Sequence, residues 1–168
     1  QVYGIAANPY NKKAIKKIFL IKKRSVSNSL VLLCSDYKMA KKYAVFNKIA
    51  NNLIKNFWPG PLTLILKKNT HSKISKKWLS KNNSIGIRIP DHFFPIDIVK
   101  CFRKPIITTS INRHGKEPLN DVTSVEIDFP NIDIFEDKKH KQSKGSTIID
   151  FSGSPYKVIR QGDSQFPL

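Results

Sequence analysis

Apolar residues recur along this chain in two rhythms. Over residues 12–22, Ala14, Ile15, Ile18 and Phe19 fall at i, i+3 and i+4 spacing. That spacing predicts a helix with one buried side, and Asn11 stands where a cap is needed. Residues 30–34, 62–66, 84–89 and 106–109 are short apolar runs of strand length. Between them, residues 38–57 predict one or two helices, with Ala44, Ile49, Leu53 and Ile54 inward. Pro59-Gly60-Pro61 must end that stretch, because proline removes a donor and clashes with the preceding turn. Residues 93–102 predict another helix. Residues 111–121 form a polar loop containing Gly115 and Pro118, residues 132–135 a weaker strand, and residues 138–144 a charged loop. Residues 147–151 and 156–159 predict two last strands around a Ser-Gly-Ser-Pro turn, hence an antiparallel pair.

Helices that alternate with apolar strands imply an α/β fold. The expected architecture is a single-domain, twisted, open sheet of mixed parallel and antiparallel strands with flanking helices. The length of 168 residues suits one domain with a core of its own. No apolar run approaches the roughly 18 residues of a membrane span. No membrane partner is therefore expected, and a cytoplasmic location is. Cys34 and Cys101 are isolated, which fits two reduced thiols. His71, His92, His114 and His140 lack metal-ligand spacing, so no bound metal site is expected. There is no GxSxG motif and no P-loop.

Charge changes the picture. The chain carries a net +18, and all of it sits in one half. Residues 1–90 hold 19 Lys or Arg against the single acid Asp36, while residues 91–168 hold 11 of each sign. A basic half attracts polyanions such as RNA or nucleotide phosphates. Lys and Asn are abundant throughout, and compositional drift explains part of the excess. Drift does not explain why acids are missing from one half only.

Three constellations carry candidate chemistry. Lys22 and Arg24 converge on one anion only if the helix ends there, since residues i and i+2 diverge on a regular helix. The following Ser25-Val26-Ser27-Asn28 favours such an end. By spacing alone, a solvated cationic helix end explains these residues as well. In the strand over residues 84–89, alternation puts Ser84, Gly86 and Arg88 on one face, opposite the isoleucines. An arginine there suits a ligand carboxylate or phosphate, or else a structural pair with an acid. Thr108, Ser110 and Asn112 follow the same parity at a strand end, where open α/β sheets bind ligands. A turn-closing role accounts for them equally. Ser146 and Arg160 add a hydroxyl and a cation from the last two strands. Phe57-Trp58 reads as a core anchor rather than a base-stacking platform.

In order, these motifs resemble the YrdC family of threonylcarbamoyl-AMP synthases. Val2-Tyr3-Gly4-Ile5 resembles the end of Pro-Thr-x-Thr-Val-Tyr-Gly-Leu. Ile18-Phe19 through Lys22-Lys23-Arg24 resembles Ile-Phe-x-x-Lys-x-Arg. Residues 57–63 resemble Trp-Pro-Gly-Pro-Leu-Thr, and residues 84–92 resemble Val-Gly-Val-Arg-Ile-Pro-Asp-His. Residues 109–115 resemble Thr-Ser-Ala-Asn-Leu-Ser-Gly. Gly145-Ser146-Thr147-Ile148 and Ile159-Arg160-Gln161-Gly162 resemble the closing Glu-Ser-Thr-Ile and Leu-Arg-Pro-Gly. The resemblance implies one YrdC-like domain over residues 1–168, without the family's first strand and helix. It implies synthesis of threonylcarbamoyl-AMP from L-threonine, bicarbonate and ATP, with release of pyrophosphate. The product serves the threonylcarbamoyl modification of adenosine 37 in tRNA.

By the same resemblance, Lys22, Arg24, Asn28, Ser84, Ser110, Asn112 and Arg160 are expected to contact ATP. Arg88, Thr108 and Ser146 are expected to contact threonine. Lys22, Arg24, Ser110 and Asn112 form the catalytic set. ATP is the nucleotide substrate, with Mg2+ on its phosphates. The expected partners are a downstream tRNA threonylcarbamoyltransferase and tRNA itself, docked on the basic half. The chain departs from the family at Gln1, where a Thr is usual, at Leu33, where His is common, and at Arg113-His114. The departures at Gln1 and Leu33 and the charge motivate an alternative, a catalytically weakened RNA-binding module of the same fold. A carbamoyl-transferring relative is disfavoured, because neither an acylphosphatase-like nor a zinc-finger segment flanks the motifs.

Overall fold

A computed structural model describes residues 3–23, 30–75, 82–112, 118–119, 121–136 and 143–166. Seven strands form one sheet: β1 (Gly4–Ala7), β2 (Val31–Leu33), β3 (Leu62–Lys67), β4 (Ser84–Arg88), β5 (Ile106–Ser110), β6 (Thr147–Asp150) and β7 (Lys157–Arg160). Their order across the sheet is β1-β5-β2-β4-β3-β6-β7. The pairs β2–β4 and β3–β6 are parallel and the other four are antiparallel, so the mixed open sheet is as expected. The closing pair β6–β7 is antiparallel, as the tight turn implied.

Among the described residues, five helices accompany the sheet: α1 (Lys12–Ile21), α2 (Tyr37–Lys41), α3 (Lys48–Phe57), α4 (Phe93–Phe102) and α5 (Val122–Asp128). Asn11 caps α1 by accepting from the amides of Lys13 and Ala14 at 3.0 and 3.1 Å. The stretch over residues 38–57, expected as one or two helices, holds two. Asn47 opens the second, accepting from the Ala50 amide at 2.8 Å. Ile49 therefore points outward and is 54% exposed, while Ala44 and Ile54 are buried as expected. Residues 132–135 form no strand. Ile132 and Ile134 instead pack as partly buried side chains against the cluster around Ile5 and Val125. Helix α5 was not foreseen: Asp121 caps it through the Ser124 amide at 2.7 Å, and Val125 is its buried residue.

The register fixes which side chains share a face. Leu32 pairs with Ile87 and Ile107, and Ile87 pairs with Leu64. Together with Leu62, Leu66, Ile85 and Ile149 they make one apolar face. Ala40, Ala44, Ala50 and Ile54 pack on it from α2, α3 and the turn between them. Ile15, Ile18 and Phe19 of α1 pack on Ile5 and Ile107 of the same face. By alternation, the opposite face carries Thr63, Ser84, Gly86, Arg88, Thr108 and Ser110.

Capping at α2 yields a pH-dependent prediction. The Met39 amide donates to the Asp36 carboxylate at 2.7 Å; this bond, against burial, holds the carboxyl below its ordinary value. A depressed carboxyl stabilises the fold above its unfolded pKa of 3.8 and loses that contribution as pH falls. Asp36→Ala is expected to cost about 1 kcal/mol at neutral pH. The difference from the parent chain should shrink toward zero below pH ~4, as followed by urea unfolding at several pH values.

Candidate active site

The end of α1 meets the end of β5. The helix stops at Ile21, Lys22 is its C-cap, and Lys23 turns the chain into the left-handed region at φ 49°. The Lys22 side chain, only 3% exposed, runs across the sheet end. Its ammonium donates to the Ser110 carbonyl and to Asn112 Oδ1, the latter at 2.5 Å. The Ser110 hydroxyl donates to the same Asn112 oxygen at 3.2 Å. Two motifs about ninety residues apart therefore share one hydrogen-bonded cluster. A charge-assisted contact of this kind is worth roughly 1.5–3 kcal/mol. Ser84 lies at the same sheet level: its neighbour Gly86 pairs with Val31, and Val31 pairs with Thr108, two residues before Ser110. Ser84 is buried. Arg24, Asn28, Gln1 and Gly115 lie outside the described residues, as does most of the charged loop over 138–144.

Four residues along β4, about 13 Å away, a second cluster is built on Arg88. Its Nε donates to the Gly60 carbonyl at 3.0 Å. The Gly60 amide in turn donates to the Ile89 carbonyl at 2.9 Å, and the Pro61 carbonyl accepts from the Thr147 amide at 2.9 Å. The Pro-Gly-Pro segment thus ties the end of β4 to the start of β6. Gly60 must be glycine, because a Cβ there would stand 2.4 Å from the Phe57 carbonyl oxygen. Trp58 is an anchor as expected, donating its indole N–H to the Leu62 carbonyl at 2.8 Å and packing on the core.

Ser146 sits beside this segment. Its hydroxyl pairs with that of Thr63 at 2.8 Å, and both residues are buried. Arg160 grips the Ser146 carbonyl with Nε at 3.1 Å and Nη2 at 2.7 Å. Burial lowers the pKa of both guanidiniums, and the charge of Arg160 lowers that of Arg88 further. The Asp163 carboxylate acts on both in the opposite sense. Thr108 lies between the two clusters, and its hydroxyl donates to the Ile5 carbonyl at 3.1 Å.

Lys22, Ser110 and Asn112 therefore stand together at one end of the polar face. Arg88, Ser146 and Arg160 stand together at the other. Arg160, expected among the ATP contacts, is bonded to Ser146, expected among the threonine contacts. The space over Gly86 is narrow, since Val31 Cγ2 lies 3.4 Å from the position of a Cβ. Leu33 stands half-buried opposite Arg88, paired with it across β2 and β4. Thr63 and Asp163 were missed by the sequence reading. Parity on β3, a hydroxyl in an otherwise aliphatic strand, was the available signal for Thr63. An acid three residues beyond Arg160 was the signal for Asp163.

The model of the Sua5/YciO/YrdC family, described as "Telomere recombination", matches residues 1–162. The chain belongs to the Sua5/YciO/YrdC family. A putative threonylcarbamoyl-AMP synthase of Methanocaldococcus jannaschii is 38% identical over 163 residues, 96% of this chain and 75% of that protein. The threonylcarbamoyl-AMP synthase of Buchnera aphidicola is 32% identical over 77% of each chain. Among solved structures, Pyrococcus abyssi Sua5 in complex with L-threonine superposes with a TM-score of 0.85 at 29% identity. That match covers 96% of this chain and 48% of the other, so the chain spans about half of that protein. Escherichia coli YciO superposes with a TM-score of 0.87 at 24% identity, over 98% and 81% of the two chains, and shares the fold.

The family's Ser-Thr-Ile segment is held here by a close backbone contact. A Cβ on Gly162 would stand 2.3 Å from the Gly145 carbonyl oxygen and 2.6 Å from the Thr147 nitrogen, with no flexible side chain to yield. Gly162→Ala is expected to lower stability by roughly 1–3 kcal/mol. Denaturant unfolding checks the value, with Gly153→Ala as control because a Cβ there meets nothing within 4 Å.

Proposed function

We propose that this chain is an L-threonylcarbamoyladenylate synthase, which condenses L-threonine, bicarbonate and ATP to threonylcarbamoyl-AMP and pyrophosphate. The observation that carries the reading is the polar sheet face itself. It holds a fixed ammonium at one end and two guanidiniums at the other, on a fold shared with a Sua5 solved with L-threonine. In the proposed reaction bicarbonate takes up a proton and loses water to give CO2; the threonine amine then adds to its carbon, giving a carbamate and releasing the proton. A carbamate oxygen then attacks the α-phosphorus of ATP. The bond from that phosphorus to the bridging oxygen breaks, and pyrophosphate leaves with the electron pair.

Negative charge builds on the leaving oxygens, so the site's task is electrostatic rather than covalent. Lys22 is already fixed by Ser110 and Asn112, and it supplies charge with little reorganisation on binding. Arg24 joins it in the catalytic set, and Asn28, Ser84 and Arg160 complete the ATP contacts. Arg88, with Thr108 and Ser146, receives threonine, the guanidinium pairing with the carboxylate. Mg2+ would arrive with the nucleotide and offset part of its phosphate charge; among the described residues no cluster of acids or histidines is placed to hold it. The product is passed to a tRNA threonylcarbamoyltransferase for adenosine 37. The lysine-rich first half suits contact with tRNA, and the setting is cytoplasmic. No described helix is long and apolar enough to cross a membrane.

Incubation with ATP, bicarbonate and labelled threonine should give threonine-dependent pyrophosphate and labelled threonylcarbamoyl-AMP. Lys22→Ala is expected to reduce kcat roughly 100-fold or more. Arg88→Ala should act mainly on the KM for threonine, by about 10- to 100-fold. Absence of threonine-dependent pyrophosphate from the parent chain would refute the assignment. If that absence came with salt-sensitive tRNA binding and no melting shift on adding ATP plus threonine, the RNA-binding module suggested by Leu33 and the +18 charge would replace it.

A further inference from the structure

The turn after β7 folds back onto the segment that leads into β6. The Gly162 amide donates to Thr147 Oγ1 at 2.8 Å, and the Asp163 amide donates to the Gly145 carbonyl at 2.9 Å. The Thr147 hydroxyl donates to the Ser164 carbonyl. Within this turn the Asp163 side chain reaches the near side of the same segment. One carboxylate oxygen accepts the Lys144 amide at 2.9 Å and the other accepts the Ser143 hydroxyl. Arg160 holds the segment one step further on, through the Ser146 carbonyl, and its Nη2 lies 3.1 Å from where Gly145 would carry a Cβ. One carboxylate and one guanidinium thus grip Ser143, Lys144 and Ser146, with Arg88 close enough for its charge to interact with both. Burial raises the Asp163 pKa, but the hydrogen bonds from Ser143 and Lys144 outweigh it, so the group is an anion at neutral pH.

Two guanidiniums in one corner repel each other, and a polar face prepared for anionic ligands contains few groups to offset that. We propose that Asp163 is the resident counter-anion of the two-arginine end, which offsets the charge of Arg88 and Arg160 without ligand and competes electrostatically with an incoming anion. The inference rests on the proposed function only for which anion arrives. Its consequence has a definite sign. A residue that merely braced the loop would weaken ligand binding when removed. A counter-anion does the reverse, because its loss leaves the arginines more attractive to an incoming negative charge.

The test is calorimetric titration of inorganic pyrophosphate and of L-threonine into the full chain and its variants. Asp163→Asn keeps the size and an acceptor for the Lys144 amide while removing the charge. It is expected to bind pyrophosphate roughly three- to tenfold more tightly at low ionic strength. That gain should shrink as salt rises to about 0.5 M. Asp163→Glu, which keeps the charge, should stay within about twofold of the parent. Ser143→Ala, which removes only a loop hydrogen bond, should show no gain. Should the Asn variant not fold, Asp163→Ser carries the same prediction. Unchanged or weaker pyrophosphate binding by a folded, uncharged variant overturns the inference, and so does a parent chain that binds no pyrophosphate. A parent chain that makes no threonylcarbamoyl-AMP, alongside a tightened Asp163→Asn variant, counts against the proposed reaction and leaves the counter-anion standing.

Discussion

The structure depends on the aliphatic packing that covers one face of its sheet. Leucines and isoleucines at alternate positions of β2, β3, β4 and β6 meet α2 and α3, and those of β1 and β5 meet α1. Hydrophobic burial on that face pins the register, because a slip of one residue would turn every aliphatic side chain away from the helices. The pinned register in turn aims the intervening residues, Thr63, Arg88, Thr108 and Ser110, at the opposite face. The polar site is thus the other half of the packing pattern. Its geometry inherits the stiffness of the core.

Chemistry at the two ends of that face differs in kind. At the α1 end a single ammonium is locked by a carbonyl and an amide oxygen, so its charge is well defined in position. At the β6 end two planar guanidiniums hold backbone carbonyls, Arg88 on Gly60 and Arg160 on Ser146, and so brace the main chain while lining the site. Arginine suits this double use, since its fork offers several donors and lysine only a compact charge. An acid at Asp163 makes that corner tenable between ligands.

Much of this was legible in the chain. Four of the strands and α4 follow directly from apolar runs and their flanking prolines, and parity alone put Arg88 opposite Ile87 and Ile89. What escaped has physical reasons. Helix α5 is short and rich in β-branched Val122, Thr123, Val125 and Ile127, so local propensity argues against it while the Asp121 cap and the burial of Val125 sustain it. Residues 132–135 read like a strand, yet Ile132 and Ile134 spend their side chains on the α1 side cluster. The ordered motifs made the family visible before the fold was known. The joining of Lys22 to Asn112 is a tertiary fact, and no spacing rule anticipates a contact across ninety residues.

The Pro59-Gly60-Pro61 segment gives both arginines a common pivot. Arg88 hangs from the Gly60 carbonyl, and the Pro61 carbonyl holds the first residue of the strand whose preceding serine Arg160 grips. A pull on either guanidinium by a bound anion is therefore delivered to the same three residues of backbone. The two guanidiniums thus share one backbone anchor, and a substitution that shifted Gly60 would displace both.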